Sequence, residues 1–115
     1  MTERVYILGG YQTDFSQNWA RNGAEIFDAF GDTVRSAVEI VGVDPEEIEV
    51  AHIGNFAAEL FCRQGHLGGF FAALHPAFSG LPASRHEAAC ASGSIATLAA
   101  SADLESGRYG LAAVD

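Results

Sequence analysis

Residues 85–96 read RHEAACASGSIA and predict a short strand that runs straight into a helix, with Cys90 at the junction. The helix prediction rests on apolar positions at i, i+3, i+4 and i+7 spacing, which are Ile95, Leu98, Ala99 and Ala102. Unpaired N–H groups and a partial positive charge at a helix start favour a thiolate over a thiol. Thiolates are the nucleophilic form of cysteine. The sequence therefore predicts that Cys90 attacks an acyl carbonyl and holds the acyl group as a thioester.

Inert burial is the alternative for Cys90, because cysteine is among the most buried residue types and often packs as a small hydrophobic side chain. The residues that follow favour the nucleophile. Ser92, Gly93 and Ser94 put minimal side chains into the first helical turn, where glycine is a poor helix former. A helix that served only for packing would be more stable with Ala or Leu at these positions. Small side chains instead leave room for another group to approach the backbone.

Four segments resemble thiolases, in the order in which that family carries them. The nucleophile segment of thiolases is similar to residues 80–94, GLPASRHEAACASGS, and weaker similarity extends over residues 5–15, 42–48 and 53–55. Many thiolases carry Asn-Arg or Asn-Asn shortly before the cysteine, whereas this chain has HEAA at residues 86–89. The chain therefore resembles most closely the sterol-carrier-protein-x-type thiolases and their acetyl-CoA acetyltransferase-like bacterial relatives.

The resemblance implies an α/β, thiolase-like fold. Residues 1–115 would form the N-terminal part of the first βαβαβαββ half, with a mostly parallel sheet and helices on both faces. The alternation of predicted strands and helices along the chain independently favours such a sheet. Thiolases are several times longer than 115 residues and contain two related halves, so we expect the chain to be a fragment; a complete small protein is the alternative.

The function implied by the resemblance is acyl transfer: a thiolase of the acetyl-CoA acetyltransferase or 3-ketoacyl-CoA thiolase class, with coenzyme A and acyl-CoA as substrates. Cys90 would be the nucleophile, and its backbone N–H would donate to the oxyanion. The activating histidine and the second cysteine of thiolases lie in later segments of that family. We therefore expect residues 1–115 alone to be inactive.

The resemblance also implies partners. Thiolases dimerise through the strand that precedes the nucleophile, which here would begin at Ala83 and end at Ala89, so a homodimer or tetramer is expected. An alternative function is a non-catalytic or aldolase-type thiolase-like protein that works in a complex with a small OB-fold, zinc-ribbon partner.

Composition excludes several other function classes. The net charge is −9, and the six basic residues are all arginines without a basic stripe, which argues against binding to nucleic acid or to an anionic membrane surface. The chain contains no lysine, so no lysine Schiff base forms within it. The apolar region at residues 67–81 is interrupted and falls short of the roughly 20 residues of a membrane helix. With no visible signal peptide, a cytoplasmic location is expected.

The remaining reactive residues give no strong pattern. Cys62 and Cys90 form no C-x-x-C motif, so a redox role and a disulfide between them are weak alternatives. No metal site is predicted, because the histidines lack ligand spacing and each is interpreted as a packed or surface residue; they are His52, His66, His75 and His86. His86 is a poor candidate for the base that activates Cys90, since four strand residues span roughly 13 Å.

Predicted elements complete the sequence interpretation. Strands are predicted at residues 5–8, 50–54, 83–89 and from residue 111 onward, and helices at residues 26–41, near 67–74 and after Cys90. Gly42 is predicted to end the first helix in the left-handed conformation. Asp44 is predicted to cap a short helical turn, with Pro45 in the first position and Glu47 completing the capping box.

Overall fold

Three parallel strands form the sheet, with the first strand in the centre. The computed structural model describes residues 3–115. The strands are β1 (Val50–Gly54), β2 (Ala83–His86) and β3 (Ala112–Val114), in the spatial order β2-β1-β3. In register, Ala51 lies opposite both Ala83 and Ala113. The predicted α/β class with a parallel sheet is confirmed.

Helices cover both faces of this sheet, also as predicted. They are α1 (Ile26–Val41), α2 (Ala58–Cys62), α3 (Phe70–Leu74) and α4 (Ser92–Glu105), with 3₁₀ turns at Pro45–Glu47, Leu67–Gly69 and Pro76–Phe78. On one face, Ala51 and Ile53 of β1 join the core made by α1, α3 and the 3₁₀ turns. Because strand residues alternate between faces, Val50, His52 and Gly54 point to the other side, which α4 covers.

The core on the α1 side is built from aromatic rings. Phe30 of α1 meets Phe71 of α3 edge to face, with ring centroids 4.9 Å apart, and Phe71 contacts Phe78 in the same orientation. Phe71 and Phe78 are fully buried. Full burial of one such side chain contributes about 1.5–3 kcal/mol, so this cluster is the main apolar contribution to the fold.

Local signals placed α1 and the turn after it correctly. The helix has the predicted bounds, and Gly42 ends it with φ 79°, in the left-handed region that favours glycine. Asp44 accepts a hydrogen bond from the Glu46 N–H at 2.9 Å, and Glu47 closes the capping box. The predicted helical turn is confirmed as a 3₁₀ turn of three residues.

The predicted buried strand at residues 5–8 is wrong. These residues have no regular secondary structure, and Ile7 is 88% exposed. A strand needs a neighbouring strand to pair its N–H and C=O groups and a second layer to cover one face. Among residues 3–115 this segment has neither: the backbone bond nearest to it is the one from Glu3 N–H to the Glu105 carbonyl.

Two further predictions need correction, the first in its bounds and the second only in the type of helix. The strand predicted over residues 83–89 ends at His86, because Ala89 adopts a left-handed conformation, φ 50°, that turns the chain away from the sheet. The helix predicted near residues 67–74 is a 3₁₀ turn that continues into α3 and ends before Pro76, as expected from the proline.

The helix after Cys90 is present, but its apolar stripe does not face the sheet. Leu98 is 64% exposed and Ile95 40%, whereas the buried residues are Ser92, Ala96 and Ala100. The reason is a direct approach of two backbones: a Cβ on Gly54 would lie 2.5 Å from the Ser92 carbonyl oxygen. Only small side chains fit between α4 and a sheet this close.

Candidate active site

Cys90 lies exposed in a tight turn between β2 and α4. It follows the left-handed Ala89 and precedes Ala91, the residue that caps the N-terminus of α4. The sequence-predicted position, at the junction of strand and helix, is therefore what the structure has. Inert burial, the alternative considered from the sequence, does not describe this side chain.

Two side chains hold the turn that presents Cys90. The Ser92 hydroxyl accepts a hydrogen bond from the Ala88 N–H at 2.9 Å and donates one to the Ala89 carbonyl at 2.7 Å. The Glu87 carboxylate accepts from the Ala89 N–H at 2.7 Å. The sequence analysis considered only the small size of Ser92, but its buried hydroxyl also stabilises the turn. This role was predictable from the sequence, because a serine at a helix start commonly forms hydrogen bonds to nearby backbone.

The first turn of α4, which begins two residues after Cys90, is open at Gly93. No side chain caps it, and a Cβ on Gly93 would meet no atom within 4 Å. The N–H groups of a helix's first turn lack intrahelical partners and carry partial positive charge. The open first turn therefore leaves space for a group that carries negative charge to approach the backbone beside Cys90.

Arg85, the cation nearest to Cys90 in the sequence, is engaged elsewhere. Its guanidinium pairs with Glu59 of α2 and donates to the carbonyl oxygens of Asn55, at 3.0 and 3.2 Å, and Phe56, at 3.1 Å. These bonds tie β2 to the segment after β1. The charge of Arg85 is therefore paired with Glu59, and its bonds stabilise the end of β2, just before the turn that contains Cys90.

A cavity of about 160 Å³ opens at the carboxyl ends of β1 and β3, on the α1 side. Its lining is mainly apolar with a polar edge and consists of Thr13, Ile26, Ala29, Phe30, Thr33, Ile53, Gly54, Asn55, Leu67, Phe70 and Asp115; Cys90 does not line it. The Thr33 hydroxyl donates to the Asp115 carboxylate at 2.6 Å. Burial raises the pKa of Asp115, and the bond from Thr33 opposes that rise.

Two of the four histidines, His52 and His86, belong to one hydrogen-bonded array that the sequence interpretation did not predict. His86 and His52 share a hydrogen bond, and His52 also bonds to Asp103 of α4. Sequence alone missed this cluster because it joins two parallel strands and a helix. Within residues 3–115, no group of three His, Cys, Asp or Glu side chains, this array included, is arranged so that it could hold a metal ion.

The thiols of Cys62 and Cys90 are both free, so the disulfide considered from the sequence is not formed. Cys62 is the last residue of α2, whereas Cys90 precedes the start of α4. Two exposed thiols at opposite kinds of helix end make Cys62 an internal control for the reactivity of Cys90. Among the described residues, no helix has the length and apolarity that crossing a membrane requires.

The similar sequences among known proteins include two acetyl-CoA acetyltransferases. No family model matches the chain. The chain is 37% identical over 103 residues to the acetyl-CoA acetyltransferase of Methanocaldococcus jannaschii, an alignment that covers 90% of this chain and 25% of that protein. It is 33% identical over 92 residues to the acetyl-CoA acetyltransferase of Methanothermobacter thermautotrophicus, covering 80% of this chain and 23% of that protein. The chain therefore spans about a quarter of the length of these curated relatives, and its similarity to them supports a relationship with thiolase-type acyltransferases.

Proposed function

We propose that this chain is the part of a thiolase-type acyltransferase that carries the acyl-accepting cysteine, Cys90. The observation that carries the proposal is an exposed thiol at the start of α4, in a chain similar to two acetyl-CoA acetyltransferases. A nucleophilic thiol needs access to substrate and a local positive potential. The turn before α4 offers both.

The proposed step is a thioester exchange. The Cys90 sulfur, as thiolate, attacks the carbonyl carbon of an acyl-CoA and forms a new C–S bond. The bond from that carbon to the CoA sulfur breaks, and the CoA thiolate leaves and takes up a proton from water. A nucleophilic acceptor then forms a bond to the acyl carbon and releases its proton to water, while the C–S bond to Cys90 breaks and Cys90 returns as thiolate. The Cys90 backbone N–H is proposed to donate to the carbonyl oxygen as it gains negative charge.

Two finer assignments belong to the same proposal. Coenzyme A is the proposed thiol substrate, in line with the names of the relatives. A second copy is the proposed partner of β2, because β2 is an edge strand of the described sheet and its outer side has no strand beside it in residues 3–115. The sterol-carrier-protein-x branch and a cytoplasmic location are proposed from the sequence alone.

Trapping the acyl-enzyme tests the proposal. Full-length protein is mixed with acetyl-CoA, quenched in acid and digested, and the peptide that carries Cys90 is analysed by mass spectrometry. We expect an acetyl group on Cys90 that hydroxylamine removes, as expected for a thioester. Cys62→Ala is the matched control and should keep the adduct, whereas Cys90→Ala should lose it. An acetyl group that persists in Cys90→Ala would contradict the proposal.

Alkylation separates the transferase from its alternative. Iodoacetamide should label Cys90 faster than Cys62 in the same molecule at the same pH. Equal labelling of the two thiols would favour a non-catalytic or aldolase-type protein that works with an OB-fold partner. The isolated 115-residue chain, assayed with acetoacetyl-CoA and CoA, should show no thiolysis above Cys90→Ala, since thiolases supply their activating histidine from later segments.

A further inference from the structure

A hydrogen-bonded array, partly buried, crosses from the sheet to α4 on the side away from the aromatic core. His52 lies in the central strand and is buried. Its Nε2 lies 2.8 Å from Asp103 Oδ2 of α4, and its Nδ1 lies 2.8 Å from His86 Nε2 of β2. The Ser84 hydroxyl bridges the two rings, 3.3 Å from His52 Nδ1 and 3.1 Å from His86 Nε2. Three elements therefore meet in one polar cluster.

The bonding pattern fixes where the protons lie. An ionised carboxylate only accepts, so the Nε2 of His52 carries a hydrogen that is donated to Asp103. In the neutral array His52 Nδ1 then accepts the hydrogen of His86 Nε2. One added proton is also accommodated, because a doubly protonated His52 donates from Nδ1 to a His86 that accepts at Nε2. Two added protons are not: both facing nitrogens would then carry hydrogens at 2.8 Å.

We propose that Asp103, His52 and His86 form a pH-sensitive latch that holds α4 and the edge strand β2 on the central strand. At neutral pH the latch is closed by the two bonds of His52. In acid the second proton breaks the bond between the two imidazoles, which then repel each other. The proposal goes beyond the acyl-transfer function and does not depend on Cys90.

The latch matters for α4 because the rest of its contact with the sheet contributes little apolar burial. The buried residues of α4 are Ser92, Ala96 and Ala100. Hydrophobic stabilisation scales with the apolar area removed from water, so alanines contribute much less than Leu or Phe would. Of its three larger apolar residues, Ile95 and Leu98 are exposed and Leu104 is only half-buried. Opening the latch should therefore loosen α4 more than it loosens α1.

No other charged side chain of the described residues intervenes between these groups. From β3, the residues on this face are Ala112 and Val114, by register with Val50 and His52. Arg85 of β2 points to the opposite face and pairs there with Glu59. At the end of α4, Glu105 accepts from the Ser101 hydroxyl and Arg108 stacks on Tyr109.

The direction of the pH response follows from the environment of His86. Burial lowers the pKa of His86 below 6.5, the charge of His52 lowers it further, and Asp103 opposes the shift. A histidine with a lowered pKa binds fewer protons in the folded state than in the unfolded state. Its stabilising effect is complete above pH 6.5 and is lost as the pH falls below that value. The latch accordingly opens in acid.

Hydrogen exchange of α4 tests the latch in the full-length protein. The protection of α4 amides, after correction for the intrinsic exchange rate, is compared at pH 7.5 and pH 5. His86→Gln keeps an N–H donor for His52 but does not titrate, and His66→Gln removes an exposed histidine outside the array. We expect protection to fall by about tenfold in acid in the wild type and in His66→Gln, the usual consequence of losing one hydrogen bond that involves a charged group. His86→Gln should lose less than about twofold.

Two results would overturn the latch: an equal loss of protection in all three proteins, or no loss in the wild type. If His86→Gln does not fold, NMR titration of the wild-type imidazoles decides. A latch requires that His52 and His86 take up protons in two coupled steps. Two rings that titrate independently would contradict it.

Discussion

The two faces of β1 are stabilised by different kinds of interaction. On the α1 face, Ala51 and Ile53 contact a cluster of phenylalanines. On the α4 face, Gly54 lies against the backbone at Ser92, and His52 bonds to Asp103. One face therefore depends on apolar volume, and the other on close approach and hydrogen bonds. Cys90 lies in the turn that leads into α4, the helix that covers the second face.

The largest expected effect is on the apolar face. Phe71→Ala should lower the free energy of unfolding by about 3–5 kcal/mol, because it removes a fully buried ring and leaves a cavity among Phe30, Phe70 and Phe78. Phe61→Ala is the matched control, since Phe61 is 85% exposed, and it should change stability by less than about 0.5 kcal/mol. Urea unfolding measures both. Similar losses in the two variants would show that the aromatic cluster is not the main apolar core.

Gly54→Ala should give the next largest loss in the free energy of unfolding, and it changes the opposite, α4 face of the sheet. The new Cβ would lie 2.5 Å from the Ser92 carbonyl oxygen, and backbone on both sides must move to relieve the overlap. Overpacking of this kind costs about 1–3 kcal/mol, and we expect the upper end because the contact is with backbone. In Gly10→Ala the added Cβ meets nothing within 4 Å, so its stability should be unchanged. Equal stability of Gly54→Ala and wild type would mean that α4 is not seated closely on the sheet.

Local sequence patterns predicted the bounds of helices and strands better than they predicted which elements pack against one another. The bounds of α1 and β1 and the cap at Asp44 follow from periodicity and capping residues that act within a few positions. The apolar run at residues 5–8 has the composition of a strand, but pairing is a tertiary property and no strand lies beside it in the described structure. The helix after Cys90 was also predicted correctly, although its predicted apolar stripe is not the buried face. The side of α4 that faces the sheet was not predictable from the sequence of the helix alone, because it is set by a close contact with Gly54 in β1.

The histidine array illustrates the same limit for the site. His52 and His86 are 34 residues apart, and their meeting depends on the register of two parallel strands. The alternation that puts Ser84 and His86 on one face of β2 was readable from the sequence. The pairing of Ser84 with His52 was not. The position of Cys90 in the fold, in contrast, was predicted from the sequence, because strand, turn and helix start are contiguous there.

Ser92→Ala should have a smaller effect on stability and a specific effect on Cys90. Removing the hydroxyl leaves the Ala88 N–H without its acceptor, at a cost of about 1–2 kcal/mol. The turn that presents Cys90 also loses its link to the Ala89 carbonyl, so the ratio of iodoacetamide labelling of Cys90 to that of Cys62 should fall. Ser94→Ala, in the same helical turn, is the control and should leave the ratio unchanged. A stability loss with an unchanged ratio would make Ser92 purely structural.

Asp115→Asn should give the smallest change in the free energy of unfolding, below about 1 kcal/mol. It tests whether the stability contributed by the two faces depends on pH with opposite signs. The pKa of Asp115 is raised by burial, so the folded state binds its proton more readily than the unfolded state does. This group stabilises the fold at acidic pH, and the contribution is lost as the pH rises through its folded pKa. His86, on the other face, acts with the opposite sign and destabilises the fold as the pH falls below 6.5.

Asp115→Asn should therefore be slightly more stable than the wild type at pH 7 and lose stability more steeply toward pH 4.5 in urea unfolding. Glu39→Gln changes an exposed carboxylate and should show the same dependence of stability on pH as the wild type. If Asp115→Asn also shows the wild-type dependence, the opposite pH responses of the two faces are refuted.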